Sequence, residues 1–299
     1  MSFYGSCRNI TRAISKHPLA GKHPFKAYSR FLKWQISQLL FPGIRKVSFI
    51  ENTSLLVKKG MTGATGNIYC GLHEFEEMGF LLHFLREEDT FIDVGANIGS
   101  YTVLASGLCR ARSVSFEPVP STFFHLEENI RINNIGHLAT LWNAGAGAKT
   151  GKLKFTSGLD TVNHVLSENE QSENFLEVII YPIDEIIGES AGVRLIKIDA
   201  EGFETEVLRG MSEMLKNEEL RAIIIELNNS GERYGFHDGD IHEKLLGHDF
   251  KPYSYEPFTR RLTLQSSFND VNTIYLRDAD FVIQRLHSAK KRTIFSETF

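Results

Sequence analysis

The sequence predicts an α/β fold in which a seven-stranded, mainly parallel sheet carries helices on both faces. Short apolar runs alternate regularly with segments of helical periodicity, and this alternation is typical of βαβ units in a doubly wound sheet. Residues 90–102 give the second indication, because an apolar run there ends near an acid and leads through closely spaced glycines into a helical pattern. A strand, a tight glycine turn and a helix in this order form the nucleotide-binding corner of such folds.

The predicted elements follow one another along the chain. Strands are predicted at residues 90–94, 113–117, 138–142, 194–198, 221–226, 250–254 and 273–277. Helices are predicted at residues 98–109, 121–132, 204–215 and 240–246. An insertion of about fifty residues separates the third and fourth strands, and connections of this length are often lids or binding loops. Within it, residues 152–155 and 178–181 have strand character and flank a polar stretch.

Three regions are predicted from the same patterns. Residues 1–60 form an N-terminal extension with an amphipathic helix, residues 61–285 form the main domain, and residues 286–299 form a basic C-terminal tail that we expect to be solvated. At the start of the main domain, residues 60–71 are predicted to be a glycine-rich connector, which leads into a helix at residues 74–85.

The helix of the extension is predicted at residues 29–40, since the apolar residues there fall on one broad face. We expect this helix to pack on the main domain. The alternative is a surface helix that contacts a membrane or a partner through residues 28–44, helped by Lys33, Arg45 and Lys46.

Composition limits the classes of function. A chain of 299 residues with a formal net charge of −4 and a pI near 6.3 has no global basic footprint, so nucleic acid is not an expected partner. Cys7, Cys70 and Cys109 are odd in number and show no zinc-binding spacing, which indicates a reduced chain. No apolar run approaches the ~18 residues of a membrane helix. The N-terminus also lacks the apolar core of a signal peptide, and we therefore expect a cytoplasmic protein.

The acid at Asp93 decides which nucleotide the glycine corner is expected to hold. A carboxylate there repels a pyrophosphate, whereas it attracts an ammonium or sulfonium by several kcal/mol at an effective dielectric of ~20. The spacing Gly95-x-x-x-Gly99 also departs from the G-x-G-x-x-G of dinucleotide sites. The sequence therefore predicts S-adenosylmethionine rather than NAD.

Further polar residues stand at the ends of the predicted strands. Glu117 closes the second strand, where an acid can accept both ribose hydroxyls of a nucleoside. Asn143 ends the third strand and either pairs with the adenine edge or forms a turn. Asn97 in the glycine turn either caps the following helix or contacts the ligand.

The segment Lys197-Ile-Asp-Ala-Glu-Gly-Phe-Glu204 ends the fourth strand. Asp199 emerges at the carboxyl end of that strand, beside the first strand, at the switch point where ligands bind. Lys197 and Asp199 lie on one face, because strand side chains repeat every two residues. Glu201 is either a site residue or, like Glu204, an acid that favours the N-terminal turn of the next helix.

Taken together, these motifs resemble the FkbM family of methyltransferases. The resemblance rests on Asp-Val-Gly-Ala-Asn-Ile-Gly-x-Tyr-Thr at 93–102, Phe-Glu-Pro at 116–118, Asn-x-x-x-Asn at 129–133 and Lys-Ile-Asp-x-Glu-Gly-x-Glu at 197–204. It covers roughly residues 70–285 as an ordered set of motifs.

The resemblance implies a Rossmann-like class I methyltransferase fold and S-adenosylmethionine-dependent O-methylation of a hydroxyl on a sugar or natural product. It implies cofactor contacts at Asp93, Gly95, Asn97, Gly99 and Glu117. It leaves the methyl acceptor and the oligomeric state open.

A hydroxyl acceptor must lose its proton during attack, and Asp199 and His164 are the candidate bases. His164 lies on the insertion, and Lys197 completes the predicted catalytic set. A less favoured alternative is a Mg²⁺ ion held by Asp199 with Glu201 or Glu226.

Three rival functions remain at this point. A non-catalytic binding domain would keep the fold without turnover. An NAD-dependent oxidoreductase is disfavoured by Asp93 and by the missing third glycine. A nucleic-acid methyltransferase is disfavoured because a basic face is missing and Asp-Ala-Glu-Gly at 199–202 stands where Asp/Asn-Pro-Pro-aromatic would be expected.

Overall fold

The computed structural model describes residues 14–156, 164–166, 175–188, 192–269 and 271–299. Its strands, in chain order, are β1 Arg45–Ser48, β2 Ser54–Val57, β3 Thr90–Val94, β4 Arg112–Phe116, β5 Ala139–Trp142, β6 Gly145–Ala146, β7 Gly151–Thr156, β8 Phe175–Tyr181, β9 Val193–Ile198, β10 Ala222–Glu226, β11 Lys251–Glu256, β12 Arg261–Leu264, β13 Asn272–Leu276, β14 Thr293–Ile294 and β15 Glu297–Thr298.

Among the described residues, eight strands form the main sheet in the order β12-β11-β13-β10-β9-β3-β4-β5. Strands β5, β4, β3, β9 and β10 pair in parallel, while β13 is antiparallel to both of its neighbours. The predicted α/β fold class and its mainly parallel sheet are therefore confirmed. The sheet has one strand more than the seven predicted, because the chain turns at residues 257–260 and adds β12 antiparallel to β11 at the edge.

The order of the strands reverses between β3 and β9. Chain order runs outward from β3 through β4 to β5, and β9 then lies on the other side of β3. Asp93 on β3 pairs in register with Lys197 on β9. This reversal creates the crevice at which doubly wound folds bind their ligands.

The helices follow the predicted alternation closely. They are α1 Pro24–Leu40, α2 Thr62–Cys70, α3 Phe75–Phe84, α4 Ser100–Thr102, α5 Pro120–Ile132, α6 Ile183–Ile187, α7 Glu204–Arg209, α8 Ser212–Lys216, α9 Asp238–Leu246 and α10 Ala279–Ser288. Helix α4 continues as π-helical turns at Val103–Leu108. The prediction of one continuous helix at 204–215 is wrong, because the helix is interrupted between α7 and α8. A Cβ on Gly210 would lie 1.9 Å from the carbonyl oxygen of Gly147. The backbone at Gly147 therefore packs directly against the interruption.

The connector predicted at residues 60–71 is also wrong, since most of this segment forms α2. Glycine lowers helix propensity, but packing against other elements can outweigh that cost. Tyr69 of α2 makes an edge-to-face contact with Phe31 of α1, with ring centroids 5.2 Å apart. A Cβ on Gly66 would lie 2.3 Å from Nδ1 of His73, so the glycine permits close packing within a helix.

Helices cover both faces of the sheet, as predicted. Phe91 on β3 is buried in a core that includes residues of α3 and α10. The next residue, Ile92, is buried in a second core with residues of α7, α8 and α9. Successive strand residues point to opposite faces, so β3 is buried on both sides.

The N-terminal extension packs on the main domain, as expected. Phe31 and Trp34 of α1 share a core with Ile98 and Leu126. Strands β1 and β2 form the short antiparallel hairpin that follows α1. Within the described part of the chain, no helix combines the length and the apolar character that crossing a bilayer requires.

The expectation of a solvated C-terminal tail is wrong. Helix α10 extends to Ser288, and β14 pairs with β15 in a short hairpin. Ile294 and Phe299 are each only 3% exposed, and the ring centroid of Phe299 lies 5.3 Å from that of Phe75. Arg292 donates to Glu51 and to the carbonyl of Leu108. The terminal segment therefore covers part of the core.

The insertion contributes a small sheet of its own. Strands β6, β8 and β7 pair in that order within the described residues, which confirms the strand character at 152–155 and 178–181. Residues 157–163 and 167–174, which make up most of the polar stretch between them, lie outside the described residues.

Candidate active site

A cavity of about 280 Å³ opens at the carboxyl ends of β3, β4, β9 and β10. Its lining includes most of the predicted site residues, namely Asp93, Gly95, Asn97, Glu117, Lys197 and Asp199. Glu201 and Glu226 also line it. Three predicted residues, Gly99, Asn143 and His164, are not among the lining residues.

The glycine turn brings β3 and β9 together at the cavity. Gly95 has φ +74°, and a Cβ on it would lie 1.9 Å from the carbonyl oxygen of Asp199. Gly99 has φ +85°, and a Cβ there would lie 2.4 Å from Cδ1 of Leu126. Gly95 therefore permits the close approach of two strand ends, whereas Gly99 permits the packing of α5 against the turn.

Asp93 is buried at the base of the cavity. Its Oδ2 accepts a hydrogen bond of 2.7 Å from Oγ1 of Thr102. Among the described residues, nothing donates to its Oδ1, although that atom is buried. Burial raises the pKa of Asp93 to about 6, against the opposing effect of the Lys197 ammonium and the Thr102 hydrogen bond. A buried acceptor without a donor is costly, so this oxygen is suited to receive a donor from a ligand.

Glu117 is held rigidly by the backbone around it. Its Oε2 accepts from the backbone N–H of Asn97 at 3.0 Å, and its Oε1 accepts from that of Val119 at 2.9 Å. Burial raises the pKa of Glu117 to about 7, although both hydrogen bonds act in the opposite direction. Each carboxylate oxygen has a second lone pair, so Glu117 can still accept from a ligand.

The two asparagines have local roles. Asn97 adopts φ +52° and its Oδ1 accepts from the backbone N–H of Ile98, while Gly99 occupies the cap position of α4. Asn143 is exposed, and its Nδ2 donates to the carbonyls of Glu117 and Pro118. Asn143 is thus not among the residues that line the cavity, and its amide nitrogen stabilises the turn after β4, which is the alternative role given above.

The buried Lys197 and the half-buried Asp199 form an ion pair in the lining. Nζ of Lys197 donates to Oδ2 of Asp199 at 2.8 Å and lies 5.0 Å from the ring centroid of Tyr101. Burial lowers the pKa of Lys197, but the carboxylates of Asp199, Glu74 and Asp93 outweigh it and raise the pKa above its ordinary value. Lys197 therefore stays an ammonium and orients Asp199.

Three acidic side chains form a cluster next to this ion pair. One carboxylate oxygen from each of Asp199, Glu201 and Glu226 lies within 4.8 Å of the others. Burial, followed by the charges of Asp199 and Glu204, raises the pKa of Glu201 to about 7. Burial and the charges of Asp199 and Glu201 raise the pKa of Glu226 well above its ordinary range. Such a cluster can take up a proton near neutral pH.

Glu204 stabilises the loop between β9 and α7. Its Oε1 accepts from the backbone N–H groups of Ala200 and Gly202. The side chain is 3% exposed, and burial raises its pKa to about 7. The interpretation of Glu204 as a structural acid at this helix start is consistent with these contacts.

His164 is buried beside the insertion sheet. Its backbone N–H donates to Oγ1 of Thr156 at 2.9 Å, and its carbonyl accepts from the backbone N–H of Thr156 at 2.9 Å. The following residue, Val165, reaches the cavity lining, but His164 does not. The prediction of His164 as a base is therefore not supported by its position.

One side of the cavity, formed by α2 and the residues that follow it, is not predicted from the sequence. Thr62, Ala64 and Asn67 line the cavity, as do His73 and Glu74. Glu74 accepts from the hydroxyl of Tyr101 at 2.7 Å and from Nδ2 of Asn272 at 2.6 Å. An acid at the first position of the helix predicted at 74–85 is a usable signal for Glu74. The residues of α2 carry no such signal, because their segment is predicted to be a connector.

The strand order, the glycine turn and the acids at the carboxyl ends of β3, β4 and β9 define a Rossmann-like protein. Residues 93–252 match the methyltransferase FkbM domain, and the chain belongs to this family. The resemblance to this family that the motifs indicate is thereby confirmed.

Individual relatives are more distant. The hexuronic acid methyltransferase AglP of Haloferax volcanii is 29% identical over 157 residues, which cover 52% of this chain and 62% of that protein. Methyltransferase 1 of Beauveria bassiana is 27% identical over 150 residues, covering 42% of this chain and 60% of that one. The chain thus matches less than two thirds of the length of either relative. A crystal structure of the FkbM methyltransferase from Methylobacillus flagellatus superposes with a TM-score of 0.46 and 18% identity, over 72% of this chain and 52% of that one.

Proposed function

We propose that this protein transfers a methyl group from S-adenosylmethionine to a hydroxyl of a sugar or sugar-like acceptor. The observation that carries the proposal is that Asp93 and Glu117 line one cavity, at the switch point between β3 and β9. Two acids there suit a ligand with a cationic amino acid part and a ribose, whereas they would repel a pyrophosphate.

The fit to S-adenosylmethionine depends on the hydrogen bonds that Asp93 and Glu117 can still accept. Oδ1 of Asp93 is buried and has no donor among the described residues, so the ammonium of a bound amino acid moiety would satisfy it. Glu117 is fixed by two backbone N–H groups and keeps lone pairs for ribose hydroxyls. Gly95 lets the end of β3 approach the backbone of Asp199 closely, which brings the two strand ends together at the cavity.

When bound, S-adenosylmethionine supplies a methyl group already activated on a sulfonium. The chain therefore has to align the acceptor, exclude water and take up the proton of the attacking hydroxyl. We assign the proton uptake to Asp199, supported by Glu201 and Glu226. Lys197 orients the Asp199 carboxylate, and Met78, Tyr101 and Phe155 provide apolar wall.

The sugar as acceptor is the finer part of the proposal. It is supported by the relative from Haloferax volcanii, which is a hexuronic acid methyltransferase. It also agrees with the polar groups that α2 adds to the cavity, Thr62 and Asn67, because sugar hydroxyls need several donors and acceptors.

The experiment has two arms with the purified full chain. Calorimetric titration compares S-adenosylmethionine with NAD, and we expect heat only with the former. Formation of S-adenosylhomocysteine is then measured with uronic acids, hexoses and glycosides as acceptors, and a hydroxyl methyl ether is identified by mass. Binding of NAD without binding of S-adenosylmethionine would refute the cofactor. Cofactor binding with turnover on amine or carbon acceptors alone would refute O-methylation.

A further inference from the structure

The N-terminal segment carries a charge opposite to that of the whole chain. Residues 1–50 contain nine of the 33 Lys and Arg residues and none of the 37 Asp and Glu residues. This segment is therefore formally +9, in a chain whose net charge is −4. A strong asymmetry of this kind suggests an anionic partner for one end of the molecule.

Helix α1, in this segment, is apolar on two opposite sides. One side packs into the protein through Ala27, Phe31, Trp34 and Gln38. At 100° per residue, Phe25, Leu32, Ile36 and Leu39 fall on the opposite side and form one line along the helix. These four residues, which we call the exposed stripe, are 87, 56, 55 and 81% exposed.

The stripe continues past the end of the helix and is bordered by cations. Phe41 and Ile44 are exposed in the segment that follows α1. Lys26, Lys33 and Lys46 are exposed and form no ion pair with any described residue. A large exposed apolar patch marks an interaction surface, and unpaired lysines beside it specify the charge of the partner.

We propose that the exposed stripe and its flanking lysines bind the surface of an anionic lipid bilayer, with α1 lying in the plane of the interface. Apolar side chains on one side of a helix enter the boundary between head groups and acyl chains, while lysines beside them contact lipid phosphates. The acidic remainder of the chain is repelled by such a surface, so only this end of the molecule docks.

A second copy of the chain would fit the exposed stripe and its lysines less well than an anionic lipid surface does. An isologous contact through α1 would bring two segments without any Asp or Glu against each other. Like charges at short range oppose such an interface, whereas lipid phosphates complement the lysines.

Sedimentation with vesicles tests the proposal with the full chain. Phosphatidylcholine vesicles are compared with phosphatidylcholine–phosphatidylglycerol vesicles, and we expect binding to the latter that weakens at high salt. The variant Leu32→Ser/Ile36→Ser/Leu39→Ser and the variant Lys26→Glu/Lys33→Glu should each lower the partition coefficient by about tenfold or more.

Matched controls separate docking from general effects. Leu264→Ser/Val271→Ser removes exposed apolar residues elsewhere, and Lys290→Glu/Lys291→Glu makes the same charge change elsewhere. Both should bind vesicles like the parent protein, and thermal unfolding confirms that each variant is folded. Equal loss in controls and test variants, or no vesicle binding together with a dimer that the stripe variant dissociates, would overturn the proposal.

Discussion

Nζ of Lys197 lies 2.8 Å from Oδ2 of Asp199; Lys197 belongs to the buried strand β9, and Asp199 directly follows the last residue of that strand. Lys197 is also in register with Asp93 on the neighbouring strand. One ammonium thus pairs with the proposed base, Asp199, and opposes the rise that burial causes in the pKa of the proposed cofactor-binding acid, Asp93. The catalytic and cofactor-binding parts of the site are therefore electrostatically coupled.

Replacing this ammonium should shift the pH dependence of cofactor binding. Lys197 opposes the effect of burial on Asp93, so the variant Lys197→Met should raise the pKa of Asp93 above its present value of about 6. The affinity for S-adenosylmethionine should then begin to fall at a higher pH than in the parent protein. Calorimetric titrations from pH 5 to about pH 8 measure this shift. Lys152→Met, at an exposed lysine, is the control, and an unshifted profile in Lys197→Met would refute the coupling.

The parent protein should itself lose cofactor affinity in acid. The pKa values of Asp93 and Glu117 are raised by burial to about 6 and about 7. In the proposed complex the ionised Asp93 binds the ammonium, and the ionised Glu117 accepts from the ribose hydroxyls. Affinity is therefore highest above these pKa values and is lost as the pH falls through them. We expect the dissociation constant to rise by up to about tenfold per pH unit below pH 6 for each proton taken up. A flat profile between pH 5 and about pH 8 would contradict this prediction.

The acidic cluster should lower stability at alkaline pH. The pKa of Glu226 is raised in the folded state by burial and by Asp199, so its stabilising contribution is present at low pH and is lost as the pH rises through the folded pKa. The variant Glu226→Gln should therefore raise the melting temperature at pH 9 by roughly 2–4 °C and leave it nearly unchanged at pH 5. Glu243→Gln is the control at another acid. A destabilised Glu226→Gln protein at pH 9 would show that the carboxylate is needed for the fold.

Gly95 should tolerate no side chain. Gly95→Ala places a Cβ against the carbonyl oxygen of Asp199 at φ +74°, so we expect a loss of about 2–4 kcal/mol in the free energy of unfolding, measured in urea. Gly239→Ala, where a Cβ meets no atom within 4 Å in helix α9, should change stability by less than about 1 kcal/mol. Similar effects at both positions would contradict the close approach of the two strand ends.

Methyl transfer should not depend on a divalent metal. The oxygens of Asp199, Glu201 and Glu226 are ligands that Mg²⁺ accepts, but the Lys197 ammonium already pairs with Asp199. Activity should therefore be unchanged by EDTA and by added Mg²⁺, with S-adenosylhomocysteine formation as the readout. Loss of activity in EDTA that Mg²⁺ restores would establish the metal-assisted alternative instead.

The parts of the site that lie on the sheet could be predicted because their signals are local. The acid at Asp93, the turn around Gly95 and the alternation of Lys197 with Asp199 are each set by neighbours within a few residues. The pairing of Lys197 with Asp93 follows once β9 is placed beside β3, which the alternation of strands and helices indicates.

The missed parts depend on contacts between distant segments. Helix α2 contains Gly63 and Gly66, and only its packing against α1 and His73 shows why glycine suits a helix there. Phe299 is buried because it contacts Phe75, more than two hundred residues away. Nδ2 of Asn143 donates a hydrogen bond to the backbone carbonyl of Glu117, whose position depends on how the chain turns after β4. Local periodicity carries none of this information.

The measurement that tests the central claim most directly is the affinity of Asp93→Asn for S-adenosylmethionine at pH 8, by calorimetry. The substitution keeps the shape of the side chain and removes its charge. If the buried carboxylate of Asp93 binds the cationic part of the cofactor, the dissociation constant should increase by about tenfold to a hundredfold. Asp280→Asn, at an exposed acid, should bind like the parent protein. An Asp93→Asn variant that is folded and binds S-adenosylmethionine with unchanged affinity would contradict the account.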